Sequence, residues 1–386
     1  MIIVSFIPFK SNRFAAELDY LTDLTVLITF FKCITGYNMT SQETNEVLFT
    51  TSDNAGIIIL NRPKALNALS IPILVNLLPK LLEWETKKKL VIIKGAGKSF
   101  CAGGDIKQVA RTGAYVEFTS VEYNINNLIG HYGIPYIAFI DGITMGGGLG
   151  VSVHGKYRVA TERTIIAMPE TKIGLIPDVG GTYFLPRLPF HLGVYLALTS
   201  HTLTGQDVQI TGIATHFVSS DRLPELEKAL CLCTNDSDVK ATLDKFHETT
   251  SELSIAPHIK DIDFCFSAAS IDEIIFRLTS INNKWSTDTI KAINQMCPTS
   301  IKVALAALQR GAQQNLAQCL QMEYRLIQRL AASYNFKEGV RALLIDRDNK
   351  PQWSPRSLVE VSENYVETYF QRLPENEELK FLNSKL

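Results

Sequence analysis

The chain has 386 residues, 46% of them hydrophobic, with 38 Lys and Arg against 39 Asp and Glu. That supports one large or two medium domains around a sizeable core, and the balanced charge argues against a polyanionic partner such as nucleic acid. Seven cysteines, dispersed apart from Cys231 and Cys233, read as reduced thiols, and no apolar run reaches transmembrane length.

Residues 1–38 open on MIIVSFIPF and mix Lys10, Arg13 and Lys32 with Glu17, Asp19 and Asp23. A mitochondrial transit peptide is Arg-rich and poor in acids, and a secretory signal opens on positive charge. This stretch does neither, so it reads as an atypical or mis-assigned leader ahead of Met39. N-terminal sequencing tests that reading: a mature end well before Met39 refutes it.

Val47 to Leu60 predicts two strands around the turn signal Asp53-Asn54-Ala55-Gly56. A loop from Asn61 to Leu69 hands over to a helix from about Ser70 to Glu85, with a kink expected from Pro79. Leu90 to Lys94 reads as a strand, and Phe100-Cys101-Ala102-Gly103-Gly104-Asp105 as a glycine turn entering a helix. Residues 115–130 read as a second helix bearing Glu122. The strand Tyr136 to Ile140 then runs into Asp141-Gly142 and Gly146-Gly147-Gly148, with a buried helix expected behind them. Two such strand–glycine-turn–helix units can aim two backbone N–H groups at one point, as an oxyanion hole requires.

Tyr157 to Ala160 and Ile165 to Ala167 read as short strands, followed by two acids. Glu170 lies in Met168-Pro169-Glu170 and Asp178 in Ile176-Pro177-Asp178, each on a turn stiffened by proline. N–H donors with a positioned carboxylate make an acyl-transfer or enolate centre. The plainer alternatives are tight turns, a helix cap at Asp178 and a solvated helix face at Glu122. Helices are expected at 183–188 and 192–200, and a last strand at 216–218. Beyond about 220 helical periodicity dominates, at 221–233, 236–248, 271–280, 284–296, 299–311, 316–332 and 336–345. The chain therefore divides into an extension at 1–45, an α/β core at 46–250 and a helical region at 251–386. His131, His154 and His191 lack paired metal spacing and Cys101 lacks a visible base, so no metal is expected; His154 reads as a core histidine.

The motifs at 100–105, 146–148, 168–170 and 180–182 resemble those of the crotonase (enoyl-CoA hydratase/isomerase) superfamily. Longer runs, SVHGKYRVATE at 152–162, AMPETKIGLIPDVGG at 167–181, YFLPRL at 183–188, GIATHFV at 212–218, MEYRL at 322–326 and FKEGVRALLIDRDNKPQW at 336–353, resemble its thioester-hydrolase branch. That branch acts on 3-hydroxyisobutyryl-CoA in valine breakdown, and the likeness spans roughly residues 47–355.

The resemblance implies an α/β fold, a spiral of ββα repeats with a helical C-terminal region over the site. It places the oxyanion hole on the N–H groups of Gly104 and Gly147, the catalytic carboxylate at Glu170 and a second acid at Asp178. Substrate contacts fall on Glu122, Gly147, Glu170 and Asp178, and CoA contacts on Ala65, Leu66, Ala68, Asp105 and Ile106. It leaves open whether Glu170 attacks the thioester or activates water. CoA belongs to the substrate, so no separate cofactor is expected, nor a membrane or nucleic-acid partner; a homo-oligomer stays open, and the location implied is the mitochondrial matrix. Gly150 stands where two-glutamate hydratases carry their other catalytic glutamate, which counts against hydration. Thr182 replaces the glycine expected of the hydrolases. Two alternatives remain: a hydratase or isomerase of the same superfamily, and a non-catalytic relative associated with the mitochondrial ribosome.

Overall fold

Val47–Ser52 (β1) pairs antiparallel with Ala55–Leu60 (β2), and Asp53 at the turn takes a left-handed conformation, φ 47°. The structure, a computed structural model, describes residues 45–249 and 253–382. The leader reading at 1–38 lies outside the described residues. From β2 the chain passes through the helix Ile71–Lys87, capped by Ser70 on the Ile73 N–H and running through Pro79. Leu90–Gly95 (β3), Ser99–Cys101 (β4) and the helices Ile106–Thr112 and Tyr115–Gly130 follow. Then come Tyr136–Ile140 (β5), Ile143–Met145 (β6) and a helical turn Gly147–Gly150; Tyr157–Ala160 (β7), Ile165–Ala167 (β8) and a 3-10 turn Glu170–Ile173; Leu203–Thr204 (β9) and His216–Phe217 (β10).

The successive pairs β3/β4, β5/β6 and β7/β8 each send their first strand to one sheet and their second to another. The larger sheet is ordered β1-β2-β3-β5-β7-β10, the smaller β4-β6-β8-β9. From β2 to β10 the large sheet is parallel. Parallel strands covered on both faces read as unbroken apolar runs, and β3 shows why. Its Val91 and Ile93 face the main core, while Leu90 and Ile92 face a second one. Helices Leu223–Cys231 and Asp236–Phe246 close that second core with Leu226, Leu230, Val239 and Leu243. The main core takes in helices Pro298–Gly311 and Leu316–Ala331, so the helical region packs on the α/β layers through continuous apolar contact.

The structure departs from the sequence reading in several elements. The helix behind the triple glycine is one turn long, because four glycines among residues 146–150 bring few side chains to pack and a large entropy loss. Strands β4, β6 and β9 are two or three residues long, too short for alternation to register. Helices Ile259–Phe266 and Glu363–Tyr369 also escaped. The helix expected at 336–345 starts at Tyr334 on a Ser333 cap and ends in a π turn, Arg341–Ile345. Among the described residues no helix is long and apolar enough to cross a membrane.

Candidate active site

Two chain crossings make the centre. Leu69 forms a parallel bridge with Gly104, its N–H donating to Gly103 O at 2.8 Å and its carbonyl accepting from Asp105 N at 2.7 Å. That turns the Gly104 N–H to the other side. Gly147 opens its helical turn and so has no intrahelical acceptor. Among the described residues neither N–H donates to any acceptor. The two lie close: a Cβ built on Gly147 would sit 3.3 Å from Gly104 N and 2.4 Å from Glu122 Oε1. Gly146 must be glycine. Its φ of 48° with ψ of −120° is closed to side chains, and a Cβ there would lie 2.6 Å from Glu170 Oε1.

Around this pair is a cavity of about 560 Å³, and all ten residues assigned from the sequence line it: Ala65, Leu66, Ala68, Gly104, Asp105, Ile106, Glu122, Gly147, Glu170 and Asp178. The solvated face expected as one alternative for Glu122 is absent; the residue is 3% exposed and points inward from the helix Tyr115–Gly130. Glu170 is 7% exposed at the first position of its 3-10 turn. Burial, then the charge of Asp178, pushes the Glu170 carboxyl well above the ordinary carboxylate range. Burial, then Asp178 and Glu170, does the same to Glu122. Asp178 is raised to about 6 by burial, partly offset by the Tyr123 hydroxyl that donates to its Oδ2 at 2.6 Å. Glu122 Oε1 and Glu170 Oε2 are buried with no hydrogen-bond partner among the described residues. Such atoms are costly unless something else meets them.

Asp178 is no helix cap. Its side chain goes to Tyr123, and the short helix Gly181–Phe184 starts after Gly180. The turn behind it is strained, with Val179 at φ 53° and Gly180 at φ 83°. A β-branched residue at positive φ is a true outlier and holds only where its surroundings impose it. Here His154 Nε2–H donates to Val179 O at 2.7 Å, and burial keeps that imidazole neutral, with its pKa lowered to about 4. From the far helix, Glu323 accepts from Gly180 N at 2.7 Å, Thr182 N at 2.8 Å and Thr182 Oγ1 at 2.6 Å. Thr182, unexpected in the sequence, therefore serves as an anchor for this turn.

At the other end Asn67 is fully buried, donating to Ala96 O at 2.9 Å and Ser99 O at 2.7 Å. Arg62 donates to Ala68 O at 2.8 Å and Asp105 Oδ2 at 2.9 Å, fixing the Ala65–Ala68 loop against the helix start. Asp105 also caps Gln108 N at 3.2 Å, so its carboxylate is committed. Lys64, Lys107 and Arg347 ring the cavity. Cys101 is fully buried, its thiol pushed up to about 12 by burial, and it stays a packing residue.

Sequence reasoning missed Tyr123, Glu323, Arg62 and Asn67. The sequence signal was there for Glu323 only as part of a resembling run; a buried acid on a helix is invisible until its partners are placed. At Gly150 the structure adds a steric argument to the chemical one. A Cβ there would lie 2.8 Å from Val179 Cβ and 3.0 Å from Asn126 Nδ2. Gly150→Glu is expected to cost about 1–3 kcal/mol of stability by overpacking and to bring no hydration activity. Thermal melts and a crotonyl-CoA assay check this; hydration gained without a lowered Tm contradicts it.

Stepped ββα repeats feeding two sheets, with a pair of N–H groups facing buried carboxylates, define a crotonase-fold protein. The chain belongs to the enoyl-CoA hydratase/isomerase family, whose model matches residues 55–370. It is 47% identical over 350 residues to the mitochondrial 3-hydroxyisobutyryl-CoA hydrolase of Xenopus tropicalis, covering 87% of this chain and 91% of the relative. With the Homo sapiens protein of that name it shares 45% over 352 residues, again 87% and 91%. Among solved structures it resembles a carnitinyl-CoA dehydratase from Mycobacterium thermoresistibile, with TM-score 0.82 and 35% identity over 88% of this chain and 100% of that one. An enoyl-CoA hydratase from Rhodobacter sphaeroides 2.4.1 follows, with TM-score 0.80 and 32% identity over 87% and 100%.

Proposed function

We propose that this chain hydrolyses the thioester of 3-hydroxyisobutyryl-CoA to 3-hydroxyisobutyrate and CoA, a step of valine breakdown in mitochondria. The observation that carries this reading is a cavity holding two N–H groups without acceptors among the described residues, beside Glu170, where Gly150 leaves no room for a second hydratase acid. The relatives at 45–47% identity over most of both chains support the substrate and the location.

The thioester oxygen lies between Gly104 N–H and Gly147 N–H. Ionised Glu170 either attacks the carbonyl carbon or takes a proton from the water that does, and both routes reach the same tetrahedral oxyanion. Collapse breaks the C–S bond and CoA leaves as thiolate, which takes up a proton. In the first route water then cleaves the acyl–Glu170 anhydride. Asp178 and Glu122 face the acyl end and can accept from the substrate's 3-hydroxyl. CoA runs out along Ala65, Leu66, Ala68 and the Asp105-Ile106 backbone, its phosphates toward Lys64, Lys107 and Arg347. Water and thioester balance the reaction, so the proposal includes no further cofactor.

Free-thiol release from 3-hydroxyisobutyryl-CoA, with crotonyl-CoA hydration alongside, tests the reading. Thiol release without hydration is expected. Hydration alone makes the protein a hydratase with an unidentified second acid, and neither activity points to a non-catalytic role.

A further inference from the structure

Three acids share the cavity, and among the described residues only Asp178 accepts from another side chain. Tyr123 Oη donates to Asp178 Oδ2 at 2.6 Å, while Glu122 Oε1 and Glu170 Oε2 have no partner among the described residues. Tyr123 is 0% exposed, and its ring meets Tyr324 edge-to-face, centroids 6.3 Å apart. Tyr324 follows Glu323, the residue that holds the backbone of the Asp178 turn. One helix, Leu316–Ala331, thus reaches Asp178 twice: through Glu323 on its turn, and through Tyr324 on the phenol that holds its carboxylate.

We propose that Tyr123 is a positioning residue that fixes the Asp178 carboxylate for the reaction and makes it the first of the three cavity acids to ionise. A hydroxyl hydrogen bond to an oxyanion is short, directional and roughly twice as strong as a neutral one, so it selects both the rotamer and the charged form. Repulsion then works outward, since a charge on Asp178 raises Glu170, Glu122 and Glu323 alike. Among the described residues those three acids and Tyr123 are the titratable groups coupled to Asp178, and the imidazole of His154 sits against the neighbouring Val179 carbonyl. Glu170 is left with its proton until higher pH, and Tyr123 sets that order without touching the reacting atoms. The proposal rests on thioester hydrolysis at this site.

The test is a double-mutant cycle on the full chain, Tyr123→Phe against Asp178→Asn, read by thiol release, with carbon-13 NMR of Asp-labelled protein. The Asp178 signal is assigned by its loss in Asp178→Asn. Tyr123→Phe is expected to lower kcat roughly tenfold to a hundredfold with Asp178 present, the worth of a hydrogen bond to a charged group, and to add nothing in the Asp178→Asn background. Asp178 should titrate near 6 in the wild type and higher in Tyr123→Phe. Equal losses in both backgrounds, or an unmoved Asp178 titration, overturn the proposal. The NMR arm needs no turnover, so wild-type protein without thiol release would fail the functional reading while leaving this one testable. If Tyr123→Phe does not fold, Tyr324→Leu removes the ring that Tyr123 leans on and must move the Asp178 titration the same way; no movement overturns the proposal too.

Discussion

Glu170→Gln should lower kcat for thioester hydrolysis by on the order of 10²–10⁴-fold while leaving KM within a few-fold of the wild type. The amide is nearly isosteric, and a native Oε2 that is buried with no partner loses no hydrogen bond to it. What disappears is the lone pair that attacks carbon or accepts a proton. Stability should hold or rise, because the change removes an ionisable group from a buried site shared with two other acids. Thiol release and a thermal melt on the same preparation separate the two effects. Full activity in the variant would exclude Glu170 as the working carboxylate.

The same residue predicts a pH profile. Its proton is held above the ordinary carboxylate range by burial first and by Asp178 second. In the proposed mechanism ionised Glu170 is the active form, so kcat/KM is expected to fall as pH drops through that raised value. The acid limb should therefore lie well above the range of a solvent-exposed glutamate. Asp178→Asn takes away the second cause and should move the limb of the residual activity to lower pH. A limb that stays put would mean that burial alone sets the Glu170 proton, and one that climbs would mean that Asp178 favours the ionised form of Glu170.

Much of this was legible in the sequence because the chemistry sits on local signals. Glycine at 104, 146 and 147 marks places where backbone must come close, and the prolines before Glu170 and Asp178 mark stiff turns. The parallel strands were legible as apolar runs, and Tyr115–Gly130 has the boundaries its periodicity indicated. What escaped depends on distant pairing. Glu122 reads equally well as a surface acid until the helix is docked. Tyr123 and Asp178 are 55 residues apart, and Glu323 lies 143 residues from Gly180, so no spacing rule brings them together. The short strands β4, β6 and β9 exist only because the second sheet accepts them; their own sequence carries too few residues to show a period.

Gly147→Ala should be nearly as damaging as the loss of Glu170, and for a reason visible in the backbone. The added methyl would stand 3.3 Å from Gly104 N, 2.4 Å from Glu122 Oε1 and 3.2 Å from Leu69 Cδ1, beside the place that the proposed mechanism gives the substrate oxygen. Leu69 cannot withdraw easily, being fully buried and tied through its own N–H and carbonyl to Gly103 and Asp105. Glu122 can shift only by moving within a helix face that is buried from Phe118 to Asn126. The oxygen is displaced from at least one donor, worth about 2.7–4 kcal/mol of barrier, or on the order of 10²–10³ in kcat. Free CoA carries no acyl oxygen, and its expected contacts at Ala65–Ala68 and Asp105-Ile106 lie apart from the methyl, so product inhibition by CoA should be unchanged. A variant that loses hydrolysis yet keeps its CoA affinity places the defect at the carbonyl. One that loses both has disturbed the cavity as a whole, and one that keeps both would put the oxyanion hole elsewhere.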